Sequence, residues 1–170
     1  MENYKVIDNF LRPDIFKGVK LSLLSGKNPW GLKSGLAEKG DDDAISFGLN
    51  LYDNNQVLGH FYYSIVEPLV QRIEAKNIYR AIANLVPLPR KPITAGIHID
   101  HNFPHNVLLY YVNTNNGYTI LDPKGKNIKI KCIENRALIF NGLIPHTGVL
   151  QSDELLRLNV NITFETYGKL

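Results

Sequence analysis

Two short segments, Gly96-Ile97-His98-Ile99-Asp100 and Pro145-His146-Thr147, and the run from Arg157 to Phe164 hold the residues of this chain best suited to chemistry. Together they offer two imidazoles, one carboxylate and one guanidinium. Two His and one carboxylate on one face of an octahedral ion leave positions open for a co-substrate and dioxygen, an arrangement suited to non-haem iron(II). The pair His98-x-Asp100 is weak by itself, because five His and sixteen acidic residues in 170 positions give about half a match by chance. Its neighbours add weight: Ile97 and Ile99 alternate with the ligands, so on a strand His98 and Asp100 leave one face and the two Ile leave the other.

His146 lies 46 residues after Asp100. At about 5–6 residues per strand that interval holds roughly four strands, and a rolled sheet then returns His146 to the opposite wall. Breakers fall where turns are needed, at Asn113-Thr114-Asn115-Asn116-Gly117, Asp122-Pro123-Lys124-Gly125 and Asn141-Gly142. Val107 to Val112, Tyr118 to Leu121, Ile128 to Cys132 and Ala137 to Phe140 read as strands between them. The plainer alternative makes His98 and His146 satisfied core or edge histidines, with Asp100 opening a turn.

From Arg157 to Phe164 the chain alternates strictly, with Arg157, Asn159, Asn161 and Thr163 on one face and Leu158, Val160, Ile162 and Phe164 on the other. A solvated outer strand has the same pattern. Arg157 follows His146 by only 11 residues, however, and a hairpin would bring it near the metal ligands. The remote carboxylate of a buried dicarboxylic acid is well matched by the Arg fork, with Asn159 one step along the same face as a second donor.

Taken in order, His98-x-Asp100, the Leu109-Tyr110-Tyr111-Val112-Asn113 strand, Gly117, Phe140-Asn141-Gly142, His146 and Arg157 resemble the C-terminal half of the 2-oxoglutarate and iron(II)-dependent oxygenases. The resemblance covers about residues 80 to 165 and is nearest to the prolyl 4-hydroxylase-like branch, including small forms encoded by phages. It implies a mostly β fold with flanking helices, a double-stranded β-helix (a cupin-like jelly-roll barrel) buttressed by N-terminal helices. In a single domain, residues 1–80 would supply the buttress and opening strands and 80–167 the metal-binding core. It also implies that His98, Asp100 and His146 hold Fe(II), that Arg157 and Asn159 anchor 2-oxoglutarate, and that Tyr111 contacts it. The implied reaction uses dioxygen to hydroxylate a C–H bond and releases succinate and CO2, with ascorbate as an auxiliary reductant. A prolyl residue in a peptide follows from the resemblance alone; a free amino acid or other small molecule, another protein side chain and a nucleobase stay open.

The sequence departs from that pattern in two places. Val86 stands where a Tyr or other polar side chain often precedes the first metal ligand. Thr163 stands where nucleic-acid dealkylating relatives carry a second Arg, which argues against a nucleic-acid substrate. Two other readings remain: a non-enzymatic jelly-roll binding or phage structural module whose His pair is incidental, and a cupin-type metalloenzyme that does not use 2-oxoglutarate.

Composition bounds the rest. With 170 residues and no linker, repeat or low-complexity tract, one domain with one good core is expected. No stretch reads as a signal peptide or a membrane span, so the expected location is cytoplasmic. The single Cys132 reads as a packed thiol in a reducing compartment. The net charge of +3 is mild, and Lys129 and Lys131 on a short strand read as edge protection rather than a nucleic-acid stripe.

In the N-terminal half, Val6 to Phe10 reads as an opening strand, and Pro13 is placed to start a helix to about Leu24. Leu58 to Lys76 reads as a second helix, with Pro68 predicting a break near Glu67. The polar stretch Glu38 to Gly59 reads as a connection or a loop over the active-site mouth. His101 and His105 read as lining the mouth or meeting solvent, and Trp30 as a core anchor.

Overall fold

The computed structural model describes residues 4–36 and 44–166. Its strands, in chain order, are β1 (Tyr4–Ile7), β2 (Gly31–Ser34), β3 (Ile45–Asp53), β4 (Gln56–Val57), β5 (Asn77–Pro87) and β6 (Asn106–Tyr111), then β7 (Tyr118–Leu121), β8 (Ile128–Lys131), β9 (Arg136–Asn141), β10 (His146–Val149) and β11 (Leu156–Glu165). The helices are α1 (Pro13–Leu24), α2 (Phe61–Ile65) and α3 (Glu67–Ile73). An eight-stranded antiparallel sheet runs β1-β9-β6-β11-β5-β3-β2, with β4 on β3, and a smaller sheet runs β10-β7-β8. Two facing antiparallel sheets with helices on the outer side of the larger one make the jelly roll expected from the sequence.

Alternation in β11 sets the layers. Leu158, Val160, Ile162 and Phe164 are all buried against α1, α2 and α3 residues such as Val19, Leu23, Ile65 and Leu69, together with Leu49 and Leu51 of β3. A second apolar cluster, including Leu109, Tyr111, Leu121, Cys132 and Phe140, fills one end of the space between the sheets. The other end is left to polar side chains, and there the cleft forms.

Pro13 opens α1, and Pro68 sits in the first turn of α3, where its missing N–H costs least. The predicted second helix is therefore two short ones meeting at Val66, and α3 stops at Glu74 in the left-handed region (φ 51°). The first strand ends at Ile7, earlier than the pattern predicts, because Asn9 turns left-handed (φ 49°) and Phe10 leaves the sheet to pack on Tyr110. Trp30 packs half-buried against the main core, as expected. β8 is an edge strand with Lys129 and Lys131 exposed, and the Cys132 thiol beside it is buried.

The stretch read as a polar loop is corrected in its larger part. Ile45–Asp53 is a nine-residue strand paired with both β2 and β5. It reads as polar because only Leu49 and Leu51 bury fully on the helix side, while Ser46, Gly48 and Asn50 alternate opposite them. The part from 38 to 43 lies outside the described residues. Among the described residues no helix is long and apolar enough to cross a membrane.

Candidate active site

His98 and His146 sit directly opposite each other in an isolated antiparallel bridge and exchange both backbone hydrogen bonds, at 3.0 and 2.9 Å. Opposed residues of such a pair project from the same face. Their rings accordingly stand 4.5 Å apart, centroid to centroid. This corrects one expectation: the four strands after Asp100 (β6, β7, β8 and β9) bring His146 alongside His98 in the smaller sheet, not to the opposite wall. The segment around His98 is extended but forms no named strand; it is tied to β10 by this bridge, by Thr94 against Val149 and by the Thr147 hydroxyl donating to the Ala95 carbonyl at 2.6 Å. Its alternation survives, with Ile97 and Ile99 exposed and the Asp100 side chain only 6% exposed.

His98, Asp100 and His146 each bring one ligand atom into a group within 4.8 Å. The hydrogen bonding around them fits a metal. His98 Nδ1 lies 3.0 Å from the Gly96 carbonyl and His146 Nδ1 lies 3.1 Å from the Ile144 carbonyl. A carbonyl only accepts, so each Nδ1 carries the proton and each Nε2 keeps its lone pair for an ion. Burial, and then the neighbouring His98, lower the His146 pKa and favour the neutral ring that a metal needs. Burial by itself would raise the Asp100 pKa, but the charge of the Arg80 guanidinium and its hydrogen bond to the carboxylate outweigh it and hold the carboxyl ionised. Arg80 Nη2 donates to Asp100 Oδ1 at 2.6 Å, while Oδ2 faces His146 Nε2 at 3.8 Å. Three N/O donors on one side of an ion, with open space opposite, suit iron(II).

The group opens into a cleft of about 280 Å³ between the sheets. Arg80, Ile82, Asn84 and Val86 of β5 line it beside Arg157, Asn159 and Asn161 of β11. These pair across the two strands as Val86–Arg157, Asn84–Asn159 and Ile82–Asn161, so the polar face of β11 turns inward rather than into water. Arg157 is only 4% exposed. It reaches the cleft without a hairpin, since β10 and β11 belong to different sheets and residues 150–155 cross between them. Its Nη1 donates to the Val149 carbonyl at 2.9 Å and its Nη2 to Thr119 Oγ1 at 3.2 Å. Gly148 lies against this fork, where a Cβ would stand in van der Waals contact with Nη1 at 3.4 Å.

Asn159 lines the cleft and accepts from Asn84 Nδ2 at 3.2 Å. Tyr111 is set one residue back: it is buried in the apolar end, and its hydroxyl donates to Thr119 Oγ1 at 2.8 Å. Thr119, not Tyr111, forms the cleft wall. Val86 lines the wall as a plain apolar residue.

His101 is half-buried, stacks on Phe103 at 4.8 Å and pairs through Nε2 with Thr163 Oγ1 at 3.0 Å, so it belongs to an aromatic shelf with Tyr79 beside the metal group. His105 is neither at the mouth nor in solvent. It is buried, with Nδ1 paired to the Phe103 carbonyl at 2.7 Å and its ring seated where a Cβ on residue 142 would stand, a place only Gly142 leaves free.

Sequence reasoning missed Arg80, Asn84, Lys33 and Thr119. The alternation Arg80-x-Ile82-x-Asn84 against Ala81, Ala83 and Leu85 carries a strand signal that would have found the first two. Lys33 gave no such signal, because it reaches across β3 to bond Asn84 Oδ1 at 3.2 Å.

No family model matches the chain, and no curated protein matches it in sequence. Solved structures do match. A prolyl hydroxylase from Trichoplax adhaerens, in complex with a peptide fragment of the hypoxia inducible factor oxygen degradation domain, aligns over 97% of this chain and 84% of its own with a TM-score of 0.72 at 16% identity. A 2OG-Fe(II) oxygenase family oxidoreductase from Burkholderia pseudomallei aligns over 98% and 87% with a TM-score of 0.74 at 10% identity. The chain has the 2-oxoglutarate and iron(II) oxygenase fold. A Pseudomonas putida prolyl-4-hydroxylase of the same oxygenase fold aligns over 98% and 94%, with a TM-score of 0.63 at 12% identity. These identities carry the oxygenase fold alone, and the chemistry has to be argued from the cleft.

Proposed function

We propose that this protein is an iron(II)- and 2-oxoglutarate-dependent oxygenase that hydroxylates a C–H bond. The observation that carries the reading is the convergence of His98, Asp100 and His146 within 4.8 Å at a cleft whose far wall holds the buried Arg157. When bound, iron(II) and 2-oxoglutarate supply the oxidising power: decarboxylation of the keto acid to succinate and CO2 is coupled to insertion of one oxygen atom from dioxygen into the substrate.

The chain's own residues bind and orient. His98 and His146 present Nε2 because their Nδ1 protons are committed to backbone carbonyls. Asp100 presents Oδ2 because Arg80 holds Oδ1. The Arg157 fork, prealigned by Val149 and Thr119, and Asn159 receive the remote carboxylate of the co-substrate. Tyr111 acts through Thr119. Ile82, Val86 and Leu109 supply the apolar part of the wall between them. Similarity to prolyl hydroxylases supports a prolyl residue in a peptide as a candidate substrate.

The test is substrate-independent turnover. Iron-loaded protein should release succinate slowly from 2-oxoglutarate in air, and Asp100→Ala or His146→Ala should reduce that release at least a hundredfold. Equal release from the wild type and both variants would sink the assignment.

A further inference from the structure

We propose that the cleft beside the metal group contains a carboxylate subsite for the substrate, built by Lys33 and Arg80. The inference rests on the oxygenase reading and names the substrate class that reading leaves open.

Lys33 belongs to the edge strand β2, yet its side chain does not go to solvent. It crosses β3 over Gly48, where a Cβ would come within 2.9 Å of Lys33 Cδ, and lines the cleft. Only glycine at position 48 leaves that path open without displacing the lysine. Burial, and then the field of Arg80, lower the Lys33 pKa, so ordering this side chain here costs entropy and solvation. Its partner is a neutral amide oxygen, Asn84 Oδ1, which does not neutralise the ammonium.

Arg80 has donors to spare. One Nη2 hydrogen bond goes to Asp100, the buried Nε has no partner, and the side chain, 33% exposed, lines the cleft. The two cations thus stand near one carboxylate, which is itself committed to the metal group.

Charge balance points the same way. Among the described residues the cleft is lined by three cations (Lys33, Arg80 and Arg157) and one carboxylate, Asp100, which leaves the wall at +2. Loading with iron(II) and the 2-oxoglutarate dianion adds charges that cancel. The co-substrate satisfies Arg157 and Asp100 satisfies one side of Arg80, so Lys33 and the free side of Arg80 face the remaining space. An ammonium and a guanidinium lining one cleft and feeling each other's field suit a carboxylate, one oxygen to each. The carboxylate belongs either to a free amino or organic acid or to an acidic side chain in a peptide; a neutral prolyl segment leaves the subsite empty.

The experiment uses the 170-residue chain loaded with manganese(II) and saturating 2-oxoglutarate, and probe pairs matched in size that differ only in carboxylate against amide. The probe pairs are L-proline with L-prolinamide, 3-phenylpropionate with its amide, and a blocked Pro-Asp tripeptide with its Asn counterpart. Binding is read from the broadening of probe proton signals by the bound manganese. In the wild type at least one carboxylate should bind roughly tenfold more tightly than its amide. Lys33→Met, and independently Gly48→Ala, should remove most of that preference. Arg80 is left in place because it also holds Asp100.

Which pair responds distinguishes a free acid from a peptide. Absence of any carboxylate preference, or a preference that survives Lys33→Met, overturns the subsite. Loss of 2-oxoglutarate binding in Lys33→Met overturns it as well, by giving Lys33 to the co-substrate. Failure of the wild type itself to bind 2-oxoglutarate would instead remove the oxygenase reading, and the subsite with it.

Discussion

Arg80 grips one oxygen of Asp100 at 2.6 Å and turns the other toward His146 Nε2, 3.8 Å away. The carboxylate is thereby ionised and aimed, with Oδ1 committed to Arg80 and Oδ2 left with only a long contact from Asn161 Nδ2 at 3.4 Å. Outer partners of this kind commonly set metal affinity by about 10–100-fold. Arg80→Gln should therefore weaken manganese(II) binding by about that factor while the protein stays folded in a thermal melt. Unchanged affinity would show that Asp100 is placed by the backbone alone.

Tyr111 and Arg157 donate to the same acceptor, Thr119 Oγ1. If the phenol acts only through that link, Tyr111→Phe costs about 0.5–1.5 kcal/mol of 2-oxoglutarate affinity, a loss of severalfold. Adding Thr119→Val should then cost less than the sum of the two single changes, because both remove one network. Complete loss of binding in Tyr111→Phe would place the hydroxyl directly on the co-substrate.

Gly142 is required by a side chain rather than by its own backbone angles. A Cβ there would run into the buried His105 ring. Gly142→Ala should lose about 1–3 kcal/mol in urea denaturation, as overpacked sites do. His105→Ala in the same background should restore part of that loss, and no recovery would count against the clash.

Asp8, just past β1, pairs with Arg136 at the start of β9 at 2.5 and 2.9 Å. The hydrogen bonds from Arg136, opposed by some burial, hold the Asp8 pKa below its ordinary value. A depressed carboxylate stabilises the fold above its unfolded pKa, about 3.9, and loses that contribution as pH falls through the lower folded value. The Asp8 side chain is 55% exposed, so the effect is small, within about 1 kcal/mol. Asp8→Asn should lower stability by that amount at pH 7 and converge on the wild type as pH falls through the lowered folded pKa. A deficit that stays constant as pH falls would assign the loss to packing.

The parts of this site that follow strand alternation were legible in the sequence. Ile97 and Ile99 marked the face of His98 and Asp100, and the two faces of β11 separated Arg157 from Leu158. The bridge between His98 and His146 was not legible, because sequence spacing counts strands but does not say which strands become neighbours. Lys33 reaches the cleft only through the gap at Gly48, a relation between β2, β3 and β5 that no local pattern carries. β3 was hidden by its own position: one face packs on the helices, while the other faces the cleft and reads as polar loop.

The central claim is that the triad and Arg157 bind one metal and one keto acid together. Anaerobic titration of the iron(II)-loaded protein with 2-oxoglutarate tests it, read by the visible charge-transfer band of the chelate. The account predicts a saturable band in the wild type that is lost or strongly weakened in Arg157→Ala while iron content is retained. Iron bound with no band in the wild type, or a band of equal affinity in Arg157→Ala, would contradict it.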